Sequence, residues 1–169
     1  MHPDISRFPS QAFYEGRIED GPDMAQLTSR PWHIQPMFGT YKFFNVSGVE
    51  EPGAFNSIKN TSEVQIAKAI YSRLSKEFQS AGFKRRIGIV SMYRAQISEL
   101  KRQFFQAFGE GILESVDFNT VDGFQGQEKD IIILSCVRAG PGLHTIGFLA
   151  GQHPFIHPAN WPTDLQPAV

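Results

Sequence analysis

Apolar residues recur at helical spacing in two long stretches of this chain. From Asn60 onward, Val64, Ala67, Ile70 or Tyr71, Leu74, Phe78 and Ala81 mark one face of a helix. Asn60 suits its N-cap, Glu63 stands three places on in capping-box spacing, and Gly82 ends it. In the second stretch Ile97, Leu100, Phe104 and Phe108 keep one face apolar, with Ser91 as the cap and Gly109 and Gly111 as the close. Between and after these helices come runs of strand character: Ile87–Val90, Val116–Thr120 and Ile131–Val137. The last run is the most apolar and reads as a central strand. An earlier aromatic run, Tyr41–Val46, reads as a short strand, followed by a loop over 47–59.

Strands and helices therefore alternate from about residue 41. That order predicts an α/β domain with right-handed crossovers, a mostly parallel sheet and helices on both faces. Ligands of such sheets sit beyond the carboxyl ends of the strands, which directs attention to the loops starting near Ser91, Asp122 and Arg138. The first forty residues hold many breakers and read as short helical turns. There Ile5, Phe8, Ala12 and Phe13 form one apolar face, and Pro9 starts a second short helix. After Leu149 the pattern lapses into a proline-rich, irregular tail.

The bulk numbers narrow the class. The chain has 169 residues, 41% hydrophobic and 20% charged, a globular composition with enough length for one core. A net charge of −1 supplies no global basic field for nucleic acid, so any such binding rests on local geometry. Cys136 is the sole cysteine, which excludes an internal disulfide and suits a reducing compartment; its place in an apolar run reads as core. No apolar run is long enough for a membrane span, and no membrane partner is expected. His144, His153 and His157 lack metal-site spacing.

The segment from Thr120 to Arg138 carries the densest chemistry. A strand end is followed by Asp122, Gln125, Gln127 and Glu128 around Gly123 and Gly126, and then by an apolar strand. Glycines allow close backbone approach, and the polar side chains suit hydroxyl-rich or planar ligands. On residue types alone, a hydrogen-bonded turn explains this segment as well as a ligand site does.

Thr120-Val-Asp-Gly-Phe-Gln-Gly-Gln-Glu-Lys-Asp-Ile-Ile-Ile-Leu-Ser-Cys-Val-Arg138 resembles motif V and its following strand in superfamily-1 RNA/DNA helicases, in the branch of senataxin and the nonsense-mediated-decay helicase. Three other places agree. Met1-His2-Pro3 with Phe8-Pro9-Ser10 and Phe13-Tyr14-Glu15-Gly16 resembles the stretch after motif IV. Asn60-Thr-Ser-Glu63 resembles the start of that domain's first long helix. Ile87-Gly-Ile-Val-Ser-Met-Tyr93-Arg94-Ala95-Gln96 resembles the turn usually written Thr-Pro-Tyr-x-x-Gln, with Met92 in place of the proline.

The resemblance implies a second RecA-like domain of P-loop NTPase type, a three-layer α/β domain over residues 1–149 that is incomplete at its C-terminal end, with a divergent tail at 150–169. It implies that Glu128 reaches the ribose hydroxyls of ATP, with Gln125 and Gly126 shaping the loop near the phosphates. It also implies that Thr120, Val121, Ser91, Tyr93 and Arg94 face a single strand of RNA or DNA. A helix N-terminus after Ser91 would favour phosphates, helped by Arg94. The implied cofactors are ATP and Mg²⁺ in the intact parent, with neither expected to bind tightly to this chain alone; the implied partner is the first RecA-like domain, and the implied location is nuclear or cytoplasmic, nuclear favoured.

The chain contains no Gly-x-x-x-x-Gly-Lys-Ser/Thr segment, so it supplies neither the phosphate-binding lysine nor the Mg²⁺-binding hydroxyl. The resemblance places the γ-phosphate arginine of motif IV and the arginine finger of motif VI outside these residues. Past Ile146–Leu149 the sequence leaves the family pattern abruptly, as though a reading frame or splice boundary had changed. The isolated chain is therefore expected to be inactive as an ATPase. The competing expectation is a non-catalytic truncated product that binds nucleic acid or protein weakly.

Overall fold

The computed structural model describes residues 1–138. They fall into two compact units, 1–44 and 45–138. The departure at 146–150, the proline-rich tail and His144, His153 and His157 lie outside the described residues.

In the first unit a single helix, α1 (Pro3–Phe13), runs straight through Pro9. The expected break there does not occur, because one missing amide in an eleven-residue helix removes one bond and leaves the turns on either side intact. His2 caps the helix: its Nδ1 accepts the Asp4 amide at 3.2 Å. Within the unit, the buried face is Ser6 and Ser10, not the apolar set. Ser6 Oγ donates to Asp20 at 2.7 Å and Ser10 Oγ to the Ile18 carbonyl. Ile5, Phe8 and Phe13 are exposed. A short helix, α2 (Met24–Leu27), and a 3-10 turn at Pro31–Ile34 follow, with Trp32 and Phe38 buried. The strand expected at Tyr41–Val46 is absent. No strand pairs with that run, Tyr41 and Phe43 are exposed, and the segment straddles the boundary between the units.

The second unit holds the sheet. A small antiparallel hairpin of β1 (Glu51–Pro52) and β2 (Ile58–Lys59) occupies the expected loop. Helix α3 (Thr61–Glu77) follows, capped by Asn60, whose Oδ1 accepts the amides of Ser62 and Glu63. It ends four residues before the predicted Ala81; a 3-10 turn covers Gln79–Ala81, and Gly82 turns the chain at φ +61°. Then come β3 (Ile87–Ser91), α4 (Arg94–Phe108), a short α5 (Ile112–Ser115), β4 (Val116–Thr120) and β5 (Ile131–Ser135). The three strands are parallel, in the order β4-β3-β5.

Strand β3 is thus the central one and is buried throughout; β5 is at the edge among the described residues, with Ile132 and Leu134 exposed. The apolar run at 131–137 is not evidence for the central place expected of it, because only alternate residues meet the core. Those are Ile131 and Ile133, which pack beside Ile87, Ile89, Val116 and Phe118 under Leu100 and Phe104. Phe104, fully buried, stands edge-on to Phe118 with ring centres 5.2 Å apart.

Helices α3 and α4 both contribute to this core face. The opposite face is crossed by the ten residues 121–130. A Cβ on Gly88 would lie 2.5 Å from Phe124 Cζ and 3.0 Å from Ile132 Cδ1, which places the Phe124 ring directly on β3. Chirality requires this arrangement. β4 and β5 flank β3 on opposite sides, so the crossovers β3–α4–β4 and β4–β5 run in opposite directions. Two right-handed crossovers of opposite direction must use opposite faces.

Candidate functional site

The carboxyl edge of the sheet assembles one half of the predicted site. Ser91, Thr120 and Ser135 share a row across the three strands, and the Val121 amide donates to the Ser91 carbonyl at 3.1 Å. Thr120 is half-buried and Val121 is exposed. Ser91 is fully buried and its hydroxyl accepts the Tyr93 amide at 3.3 Å, so it shapes the turn; the N-cap of α4 is Tyr93, two residues later than expected. Tyr93 is buried as well, whereas Arg94 is exposed. The amides at the start of α4 are partly used. Ser57 of the hairpin takes the Ala95 amide at 3.3 Å, and Gly53 packs so close that a Cβ there would meet Ala95 Cβ at 2.4 Å.

From Thr120 the chain turns tightly around one side chain. Asn119 Oδ1 accepts the Thr120 amide at 2.9 Å, and Asn119 Nδ2 donates to the Gly123 carbonyl at 2.9 Å. The Gly123 amide donates to Thr120 Oγ1, and Gln127 Nε2 donates to the Gly123 carbonyl, both at 3.3 Å. A Cβ on Gly123 would lie 2.4 Å from Asn119 Oδ1, so glycine is required there for close approach. Gly126 follows at φ +77°, the conformation glycine adopts most readily. Gln125 and Gly126 are exposed on this crossing.

The crossing ends at the amino edge. There Glu128 is exposed and shares a depression of about 260 Å³ with Arg85, Arg86, Lys129 and Asp130. Arg86 pairs with Asp130 at 2.6 Å, and this hydrogen bond raises the Arg86 pKa. Lys129 forms an ion pair with Asp117 and donates to the Arg85 carbonyl at 2.9 Å. The sequence-predicted residues thus divide: Ser91, Tyr93, Arg94, Thr120 and Val121 gather at the carboxyl edge, and Glu128 stands at the opposite edge, with Gln125 and Gly126 on the strap between them. The expectation that Glu128 belongs to a carboxyl-edge loop is corrected here. A loop joining two parallel strands must run the full length of the sheet, from one edge to the other.

A family model described as an AAA domain matches residues 1–155. Helicase sen1 of Schizosaccharomyces pombe is 45% identical over 149 residues, covering 88% of this chain and 9% of that protein. The probable helicase MAGATAMA 3 of Arabidopsis thaliana is 43% identical over 155 residues, 90% of this chain and 19% of its own length. The probable helicase senataxin of Homo sapiens is 33% identical over 151 residues, 89% and 5% respectively. The chain belongs to this helicase family. It spans less than a fifth of the length of these relatives.

One feature of this helicase domain had no signal of composition or periodicity: a closed network of buried polar groups behind the carboxyl edge. Gln96, fully buried, accepts the Asn60 amide at 2.8 Å and donates to the Asn60 carbonyl at 3.1 Å and to Ser135 Oγ at 2.9 Å. Ser135 in turn donates to Glu63, which also accepts the Val137 amide at 3.0 Å. Asn60 Nδ2 donates to the Val137 carbonyl at 3.0 Å. Val137 is held at φ +71°, a costly conformation for a β-branched residue, and both of its backbone polar groups are tied. Glu63 therefore does not close the capping box; its carboxylate is spent on β5, and Gln96 takes the Asn60 amide instead. Cys136, expected in the core, is exposed, because this bend turns the chain out of the strand after Ser135. Among the described residues, no three or more His, Cys, Asp or Glu side chains gather as a metal site. No described helix is long and apolar enough to cross a membrane.

Proposed function

We propose that this chain acts as the second motor domain of an ATP-dependent RNA/DNA helicase, forming one wall of the ATP cleft and part of the track for a single strand. The observation that carries the reading is the crossing segment 121–130. It starts at Thr120 and Val121 on one edge and delivers Glu128 to the other, braced by Asn119 and Phe124 along the way. A nucleotide bound at one end and a nucleic-acid strand at the other would be joined by one short, tightly bonded strap.

At the amino edge the Glu128 carboxylate accepts hydrogen bonds from ribose hydroxyls, a use suited to an exposed acceptor-only group. Gln125 and Gly126 lie on the adjoining strap toward the phosphates. At the carboxyl edge Thr120 and the backbone at Val121 meet the phosphodiester chain, and Arg94 adds charge attraction. Ser91 and Tyr93 hold that turn from beneath. ATP supplies the driving reaction. Mg²⁺ would arrive bound to the phosphates of the nucleotide. A 169-residue chain without a phosphate loop lacks the lysine that phosphoryl transfer uses, and it is inactive alone. The first RecA-like domain is the partner that completes the cleft, and the location is nuclear or cytoplasmic, the nucleus favoured by the family resemblance.

The test separates the two edges. Binding of a labelled single-stranded oligonucleotide by the purified chain falls with Arg94→Glu and is unchanged in Glu128→Gln. Binding of ADP falls with Glu128→Gln and is unchanged in Arg94→Glu. If neither ligand binds, or both variants affect both ligands alike, the two-edge reading is wrong.

A further inference from the structure

The amino-edge depression contains a cation that the structure does not use. Arg86 is committed to Asp130 and to the Ala81 carbonyl, and Lys129 to Asp117 and the Arg85 carbonyl. Arg85 has its backbone fully engaged: its amide donates to the Ser115 carbonyl at 2.7 Å and its carbonyl accepts Lys129. Its guanidinium is exposed and has no partner among the described residues, and it lines the same depression as Glu128. Arg85 also sits at φ +60°, a conformation that glycine adopts freely and other residues adopt at a cost. A strained position that carries a long unpaired cation, in a sequence with fifteen glycines elsewhere, calls for a reason beyond the turn.

We infer that Arg85 is a second nucleotide contact, holding a phosphate oxygen of a nucleoside di- or triphosphate whose ribose lies on Glu128. The inference rests on the ribose reading of Glu128 and extends it. The chemistry of the depression fits such a division. A carboxylate suits sugar hydroxyls and repels phosphate, so the anionic end of the ligand must turn toward a cation, and Arg85 is the uncommitted one. A guanidinium presents paired donors in a planar fork that matches a phosphate. The depression, about 260 Å³, is smaller than ordinary ligand pockets of roughly 300–1,000 Å³, so it would hold only part of a nucleotide, with the remainder outside the groove.

The experiment uses the whole 169-residue chain, isotope-labelled, with backbone amide shifts followed by NMR under millimolar adenosine or ADP. Arg85→Gly is the decisive variant because it removes the guanidinium and relieves the backbone. Its melting temperature should equal or exceed that of the parent chain, while ADP binds about tenfold more weakly, or about 1.4 kcal/mol. Adenosine, which has no phosphate, should bind Arg85→Gly as it binds the parent, and Glu128→Gln should weaken both ligands. Arg85→Lys should restore part of the ADP affinity. If Glu128→Gln weakens ADP binding and Arg85→Gly does not, the inference on Arg85 fails while the ribose reading stands. If Arg85→Gly weakens adenosine and ADP equally, the role is not phosphate contact. If neither ligand shifts any amide of residues 85–86 or 128–130, both readings fail together.

Discussion

Removing the Gln96 side chain tests the buried network most directly. The amide makes three hydrogen bonds at 2.8, 2.9 and 3.1 Å and is fully shielded from water. In Gln96→Ala the Asn60 amide loses its partner inside the protein, an orphaned buried donor that costs about 1–3 kcal/mol. The Asn60 carbonyl retains the Val64 amide and Ser135 retains Glu63, so those two losses are smaller, about 0.5–1.5 kcal/mol each. The hydrogen-bond losses together come to about 2–6 kcal/mol, and the space vacated by the side chain adds a packing term to them. A domain of this size is stable by about 5–15 kcal/mol, so the variant should fold but be marginal. Urea unfolding followed by circular dichroism measures the loss. Gln96→Met, which fills the space without polar atoms, should retain most of the penalty, since the orphaned amide remains. Hydrogen exchange at Val137 should accelerate in both variants, because its strained bend depends on groups that the network orients. A loss under about 1 kcal/mol in Gln96→Ala, with an unchanged denaturant slope, would refute the closed network: water or a neighbour would then be replacing the amide.

Two further perturbations probe the sheet and the helix pair. Gly88→Ala drives a methyl to within 2.5 Å of the Phe124 ring and should displace the crossing strap at a cost of about 1–3 kcal/mol; adding Phe124→Ala should recover much of it, whereas strictly additive losses in the double variant would show that the strap does not lie on Gly88. Glu99 is held at a pKa of about 2, down from 4.5, chiefly by its hydrogen bond with Arg102, with Gln103 and Lys59 assisting against burial. A depressed carboxyl stabilises the fold above its unfolded pKa, so the contribution is full above about pH 4.5 and lost as pH falls toward 2. Because Arg102 is more than half exposed, solvent screening limits the contribution to about 0.2–1 kcal/mol. Acid titration of stability should show this decline in the parent chain and a flatter profile in Glu99→Gln; parallel profiles would remove Glu99 from the account.

Helical periodicity located α3 and α4, which bury Val64, Ala67 and Leu74, then Ile97, Leu100 and Phe104, and runs of strand character located Ile87–Ser91, Val116–Thr120 and Ile131–Ser135. The right-handed crossover rule supplied the mostly parallel α/β organisation, and the resemblance carried by Thr120–Arg138 supplied the helicase ancestry. Strand order lay beyond that reach. An apolar run looks central whether one or both of its faces are covered, and only pairing showed that β3, not β5, occupies the middle. Tyr41–Val46 failed for the complementary reason, since a strand exists only where another chain segment offers hydrogen bonds.

The site divides along the same line. The family resemblance marked Thr120, Val121, Gln125, Gly126 and Glu128 within one compact segment, and that segment is contiguous in sequence. Parallel pairing then separates its ends by the length of the sheet, so one motif reaches two edges. Asn60 was legible as a helix cap and Gln96 only as part of a resemblance, but their burial was not, because a buried amide is indistinguishable from a surface one until its partners 36 and 77 residues away are brought to it. Local sequence determines which elements form, through periodic burial and caps; tertiary structure alone decides which polar groups lose water together, and hence which of them must satisfy one another.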